Sequence, residues 1–170
     1  MNKRTPAYLV LKSAVLFLSL LCFYPLSATN PQKKEMKELN VKKVSLANVA
    51  VENIPALLDK EKVAFQSINT VNWKAFPYQP EVQFRIAHTD GAILIHYKVK
   101  EASVRAVATG DNGAVWEDAC VEFFSIPAGD GIYYNVECNC VGTLLIGAGG
   151  GRSNREHAPQ EVMDKVQRWA

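Results

Sequence analysis

Apolar and polar residues alternate along Val82-Gln-Phe-Arg-Ile86, the period of two that a half-buried strand requires. The turn residues His88-Thr-Asp-Gly91 separate this run from a second predicted strand, Ala92–Val99. A third, Val104–Ala108, is closed by Gly110-Asp-Asn-Gly113. Two further runs, 115–124 and 133–140, flank Pro127-Ala-Gly-Asp-Gly131 and predict the arms of one β-hairpin. Thr143–Ile146 adds a strand that leads into Gly147-Ala-Gly-Gly-Gly151, read as a flexible turn. Short strands parted by Gly, Pro, Asn and Asp predict an all-β fold, an antiparallel β-sandwich of jelly-roll or immunoglobulin-like type. The helical period occurs twice. Ile54–Val63 has Pro55 in its first turn, and Pro159–Trp169 places Val162, Val166 and Trp169 at i, i+4 and i+7. Trp73–Pro80 holds two prolines and is excluded as a central strand. The pattern yields five or six strands where about seven are usual, and it stops inside a helical run without a stop signal. The expectation is therefore a domain that lacks its C-terminal strands.

Composition changes the picture mainly at the N-terminus. Lys3, Arg4 and Lys12 precede or open an apolar run over 14–23 that is short for a bilayer span, and Leu26-Ser27-Ala28 offers a cleavage point. Residues 1–28 thus read as a signal peptide of an exported, periplasmic or extracellular protein, with a retained anchor as the alternative. Cys22 is not read as a lipid-modified residue, because Leu20 and Leu21 stand where small residues are expected. Residues 29–45, rich in Lys, read as a polar linker, and 46–170 as the folded domain. The formal charge of +2 is misleading: three of the 19 basic residues and none of the 17 acids lie in the first 28. The remainder is slightly acidic and carries no basic, aromatic-interleaved patch, which argues against nucleic acid as a partner.

Cys120, Cys138 and Cys140 remain once Cys22 is set aside, an odd number that excludes a complete disulfide framework. Cys138 and Cys140 point the same way from one strand, so buried free thiols are expected. One C-x-C also falls short of a zinc site. His88 and His96 have no metal-spaced partner and read as solvated or satisfied. The glycine run precedes no Gly-Lys-Ser/Thr and is not a phosphate loop. Met163 reads as a helix core residue.

The hairpin carries the candidate chemistry. Its apolar sets, Val115, Ala119, Val121 and Phe123 in one arm and Tyr134, Val136, Cys138 and Cys140 in the other, should share a face. That register puts Trp116, Asp118 and Glu122 on one face with Asn135, Glu137 and Asn139, and turns Cys120 away from Cys138 and Cys140. A Trp beside carboxylates and amides is the chemistry of a sugar platform: the ring stacks on the C–H face of a pyranose, and the polar groups bond its hydroxyls. Glu122 and Glu137 are also the one carboxylate pair suited to glycoside hydrolysis, although no second wall is evident to hold a scissile bond. A sandwich with no ligand is the third reading.

The order Trp-x-Asp-x-Cys-Val-Glu-Phe-Phe (116–124), Tyr-Tyr-Asn-x-Glu-x-Asn-x-x-Gly (133–142) and Gly-x-Gly-Gly-Gly-Arg-x-x-Arg (147–155) resembles the family 9 carbohydrate-binding modules, over about residues 73–169. More narrowly, it resembles the family-9-like domains of exported bacterial proteins. The resemblance implies a β-sandwich that binds glucan, xylan or simple sugars without catalysis, often between two aromatic rings, alongside polysaccharide-degrading enzymes. It also implies structural calcium in some members. Carried over, Trp116 is one stacking ring, Glu122 a hydroxyl-binding acid, and Glu137 and Asn139 further polar contacts. Asp118, Asn135 and Arg152 are secondary candidates. Glu137 stands where some members use a basic residue, and no residue here matches the second ring.

Overall fold

The computed structural model describes residues 38–46 and 49–170; the expected signal peptide, with Cys22, lies outside the described residues. The strands are β1 (Lys42–Lys43), β2 (Gln66–Ile68), β3 (Glu81–His88), β4 (Ile93–Lys100), β5 (Cys120–Ser125), β6 (Tyr133–Asn139), β7 (Leu144–Gly149) and β8 (Glu156–His157). Two short helices, α1 (Ile54–Lys60) and α2 (Gln160–Met163), complete the set. The strands form two four-stranded sheets, almost wholly antiparallel, in an all-β sandwich that is not closed into a barrel.

The first sheet is built on β3. β4 pairs along its whole length, from Glu81↔Lys100 to His88↔Ile93. The turn between them is an ST-turn in which the Thr89 hydroxyl accepts from the amides of Gly91 and Ala92. The other edge of β3 is shared by β2, antiparallel, and β1, parallel at Ala87 and His88. The last residues of the segment expected to be linker therefore join the fold, and Val44 is buried. α1 starts at Ile54 with Pro55 in its first turn, as expected, and packs Ile54 and Leu58 with Val44, Ala87 and Leu94.

Alternation along β3 is real, but the buried face is the one with Arg85 and Ala87, while Val82, Phe84 and Ile86 are half-buried. Arg85 is tolerated there because its guanidinium is fully engaged. It bonds Asp59 at 2.5 Å and the Pro55 carbonyl at 2.8 Å, donates to His96 Nδ1, and lies over the Phe65 ring. His96 is thus an acceptor, held below its usual range by burial and the Arg85 charge.

The second sheet runs β5-β6-β7-β8. The hairpin register is Cys120↔Asn139, Val121↔Cys138, Glu122↔Glu137, Phe123↔Val136 and Phe124↔Asn135, the pairing that the apolar sets demanded. Val136 and Cys138 pair with Ile146 and Leu144 of β7, and Met163 of α2 closes this apolar cluster with Val166. The sheets are joined where the Tyr97 hydroxyl of β4 donates to the Glu122 carbonyl at 3.2 Å. Burial pushes the Tyr97 phenol up to about 12, helped by Cys138 and Glu122, so it stays a donor.

Several expected elements differ. Val104–Ala108 forms no strand: its Val107 and Ala108 amides are taken by the Asp118 carboxylate rather than by a ladder. Residues 115–117 form a 3-10 turn, so β5 begins only at Cys120. Gly147–Gly149 continue β7 instead of forming a turn. α2 stops at Met163, and Trp169, 66% exposed, stands outside it. The three described cysteines are free, but Cys120 and Cys138 are only partly buried and Cys140 is exposed.

Candidate functional site

The two residue sets of the hairpin lie on opposite faces of the second sheet. One carries Val121, Phe123, Val136 and Cys138; the other carries Cys120, Glu122, Asn135, Glu137 and Asn139, continued on β7 by Leu145 and Gly147. Glu122 and Glu137 stand directly opposite one another. Burial, then the Glu137 charge, raises the Glu122 carboxyl above its ordinary range, against the opposing pull of Arg155 and Arg152. Cys120 is pushed up to about 12 by burial and by Glu122, Glu137 and Asp118, so it is a neutral thiol.

Glu137 and Asn135 are sealed into this face at 4% and 0% exposure. The Asn135 amide donates to Glu137 Oε1 at 2.6 Å. That leaves Glu137 Oε2 and Asn135 Oδ1 buried without a hydrogen-bond partner, the two such side-chain atoms among the described residues. Native structures rarely leave acceptors in this state.

Trp116 reaches the site by another route than strand parity. The fully buried Val115 anchors the 3-10 turn and leaves the Trp116 ring 55% exposed. With Leu145, Gly147, Arg152, Arg155 and His157 it lines a pocket of about 160 Å³. A wider hollow of about 440 Å³ runs along residues 105–118. Two of its three acids are committed elsewhere: Asp111 accepts from the Leu144 amide and pairs with Arg168, and Asp118 is held internally, while Glu117 is exposed. The smaller pocket reaches the β5–β6 face through Leu145 and Gly147, the register partners of Glu137 and Asn135, and it holds the half-exposed Trp ring and three nitrogen-bearing side chains.

The remaining expected site residues are placed differently. The Asp118 side chain is 1% exposed, accepts from the amides of Val107 and Ala108, and lies 3.5 Å from Arg105. Burial pushes its carboxyl up, but these bonds and one from Asn139 outweigh that and hold it below its usual range. Asn139 donates to the Ala108 carbonyl and to Asp118, and its Oδ1 accepts from the amides of Val141 and Thr143. Both residues are saturated, and both hold the 105–108 segment against β6. His157 carried no sequence signal, because it reaches the pocket only through the two-residue pairing of β8 with β7.

Cys120, Glu122 and Glu137 each bring one donor atom within 4.8 Å of the others, a set able to hold a metal ion. Calcium, which the resemblance implies for some members, asks for six to eight oxygen ligands. Two carboxylates and a thiol do not fit that cage, and no role is derived for it.

Comparison with known proteins agrees with the geometry. A solved structure of a candidate carbohydrate-binding protein from Bacteroides uniformis is similar at 59% identity and a TM-score of 0.74, covering 78% of this chain. The chain spans 62% of that protein's length. No curated protein matches. The sequence profile of carbohydrate-binding family 9 matches residues 52–170, most of the chain and all of both sheets except β1, and the chain belongs to that family.

Proposed function

We propose that the chain captures a saccharide non-catalytically on the face formed by β5, β6 and β7. Trp116 supplies the stacking wall, and Glu122, Asn135 and Glu137 accept from sugar hydroxyls. Asp118 and Asn139 act by positioning, since they pin the segment that carries the Trp116 turn. The carrying observation is the pair of buried, unpartnered acceptors on Glu137 and Asn135. Each leaves about 1–3 kcal/mol of desolvation uncompensated, and a polyol is a ligand rich in the missing donors. Ring stacking on a half-exposed Trp beside them is the other half of such recognition.

Catalysis is the weaker reading. Glu122 and Glu137 sit side by side on one wall, and the latter is buried and bonded to Asn135. Hydrolysis needs two carboxyls flanking a bond from either side. Together with the basic-then-apolar N-terminal segment, the proposal is of an exported sugar-binding protein; none of the described helices is long and apolar enough to cross a membrane.

Isothermal titration of the full chain against glucose, xylose, cello- and xylo-oligosaccharides tests this. Binding is expected, and Trp116→Ala and Glu137→Gln should each weaken it about tenfold or more. A flat panel, or affinity indifferent to both substitutions, would overturn the site.

A further inference from the structure

The pocket beside the two acids is lined by the opposite charge. Its walls contain two guanidiniums and an imidazole, from Arg152, Arg155 and His157, and no carboxylate. Among the described residues neither arginine forms an ion pair. The backbone is built to bring them in. A side chain at Gly149 would place its Cβ 2.5 Å from the Asn154 carbonyl and 2.9 Å from Arg155 Cα, so only glycine lets residues 150–155 fold down on β7. The stem of Arg155 then lies on Gly147, where a Cβ would meet it at 3.6 Å, and its guanidinium is 5.7 Å from the centre of the Tyr133 ring. Unpaired cations around a small concave space concentrate field there, and planar guanidinium forks match carboxylates and related oxyanions.

We infer that the saccharide bound here is anionic, a pyranose whose exocyclic carboxylate or sulfate sits among Arg152, Arg155 and His157 with its ring against Trp116. The inference rests on the saccharide-binding reading and gives it a substrate class. Charge also orients the ring. Glu122 and Glu137 on the β5–β6 side repel an anionic substituent and accept hydroxyls, while the β7–β8 side attracts the anion. The pocket, about 160 Å³, has room for a charged group and its ring edge rather than a chain of sugars. A neutral sugar would leave the two guanidiniums with only the unbonded Glu122 carboxylate within electrostatic reach.

The test is titration of the full chain with glucose, glucuronic acid, its uncharged methyl ester and glucose 6-sulfate. At least one anionic sugar should bind about tenfold or more tightly than glucose and the ester, and that preference should shrink as salt is raised. Preference for the acid names a uronate and preference for the sulfate a sulfated sugar; either supports the inference. In the Arg152→Gln, Arg155→Gln double variant the ratio of anionic to neutral affinity should fall towards one. Should that variant not fold, the ester comparison and salt dependence decide on the unaltered protein. Equal affinity for charged and neutral sugars would overturn this inference and leave sugar binding standing. No binding to any of the four would overturn both.

Discussion

Glu122 and Glu137 face each other across neighbouring strands, and neither forms an ion pair among the described residues. This pair sets the pH behaviour of the site. Glu122 titrates above its ordinary 4.5 in the folded protein because burial, then Glu137, disfavours its anion. The unfolded chain therefore loses this proton first as pH rises. The group costs nothing below about pH 4.5, and its cost grows as pH climbs through the raised value. Glu122→Gln should match the parent in stability at acid pH and exceed it at neutral pH, read by urea unfolding at both. A gain of equal size at both would show that Glu122 pays no charge penalty. The same substitution should weaken sugar binding, so stability and affinity should move in opposite directions.

The stretch from Arg105 to Ala119 shows how an element can be held without being a strand. Its backbone is fastened by side chains: Asp118 takes the Val107 and Ala108 amides, and Asn139 and Thr143 both donate to the Ala108 carbonyl. Asn139→Ala should cost about 1–3 kcal/mol by stranding buried groups, seen as a lower melting temperature. It should also weaken sugar binding, because Trp116 lies within this stretch, whose ends are tied where the Ala119 amide donates to the Arg105 carbonyl. Normal affinity in a destabilised Asn139→Ala protein would show that the segment does not set the position of Trp116. Asp118 works in the other sense from Glu122. Its lowered carboxyl contributes stability above its ordinary 3.8, and that contribution is lost as pH falls through the folded value. Alternation alone reads 104–108 as a strand, because a period of two describes any extended backbone, and only the bonding partners distinguish ladder from tether. The glycines over 147–149 fail as a turn signal for a related reason. They sit in β7, and at Gly149 the backbone of Asn154 and Arg155 approaches too closely for a side chain.

Among the described residues two apolar clusters form, one under α1 against the first sheet and one under α2 against the second. The candidate site belongs to the second sheet. Leu58→Ala, at a fully buried position in the first cluster, should cost about 2–5 kcal/mol while leaving sugar affinity at 25 °C within twofold, as long as the protein remains folded. A parallel loss of affinity, measured by titration on the folded fraction, would show that the sheets act as one unit at the site. Much of this architecture was legible in the residues. The hairpin register, the shared face of Glu122, Asn135, Glu137 and Asn139, and the place of Pro55 in the first turn of α1 follow from local rules: strands alternate, apolar sets converge, and proline is at home where helices open. What the sequence could not supply is set by packing between distant segments. Polar-out alternation reads Glu137 and Asn135 as solvated, yet the tertiary structure buries them and leaves Glu137 Oε2 and Asn135 Oδ1 without a hydrogen-bond partner. It also separated Asn139 and Asp118, saturated within the frame, from an amide and acids of the same face, Asn135, Glu122 and Glu137, that are not. Finally, it brought Trp116, Arg152, Arg155 and His157 around one pocket. Local periodicity determined which side chains share a face; only the path of the loops decided which of them are saturated within the fold and which are not.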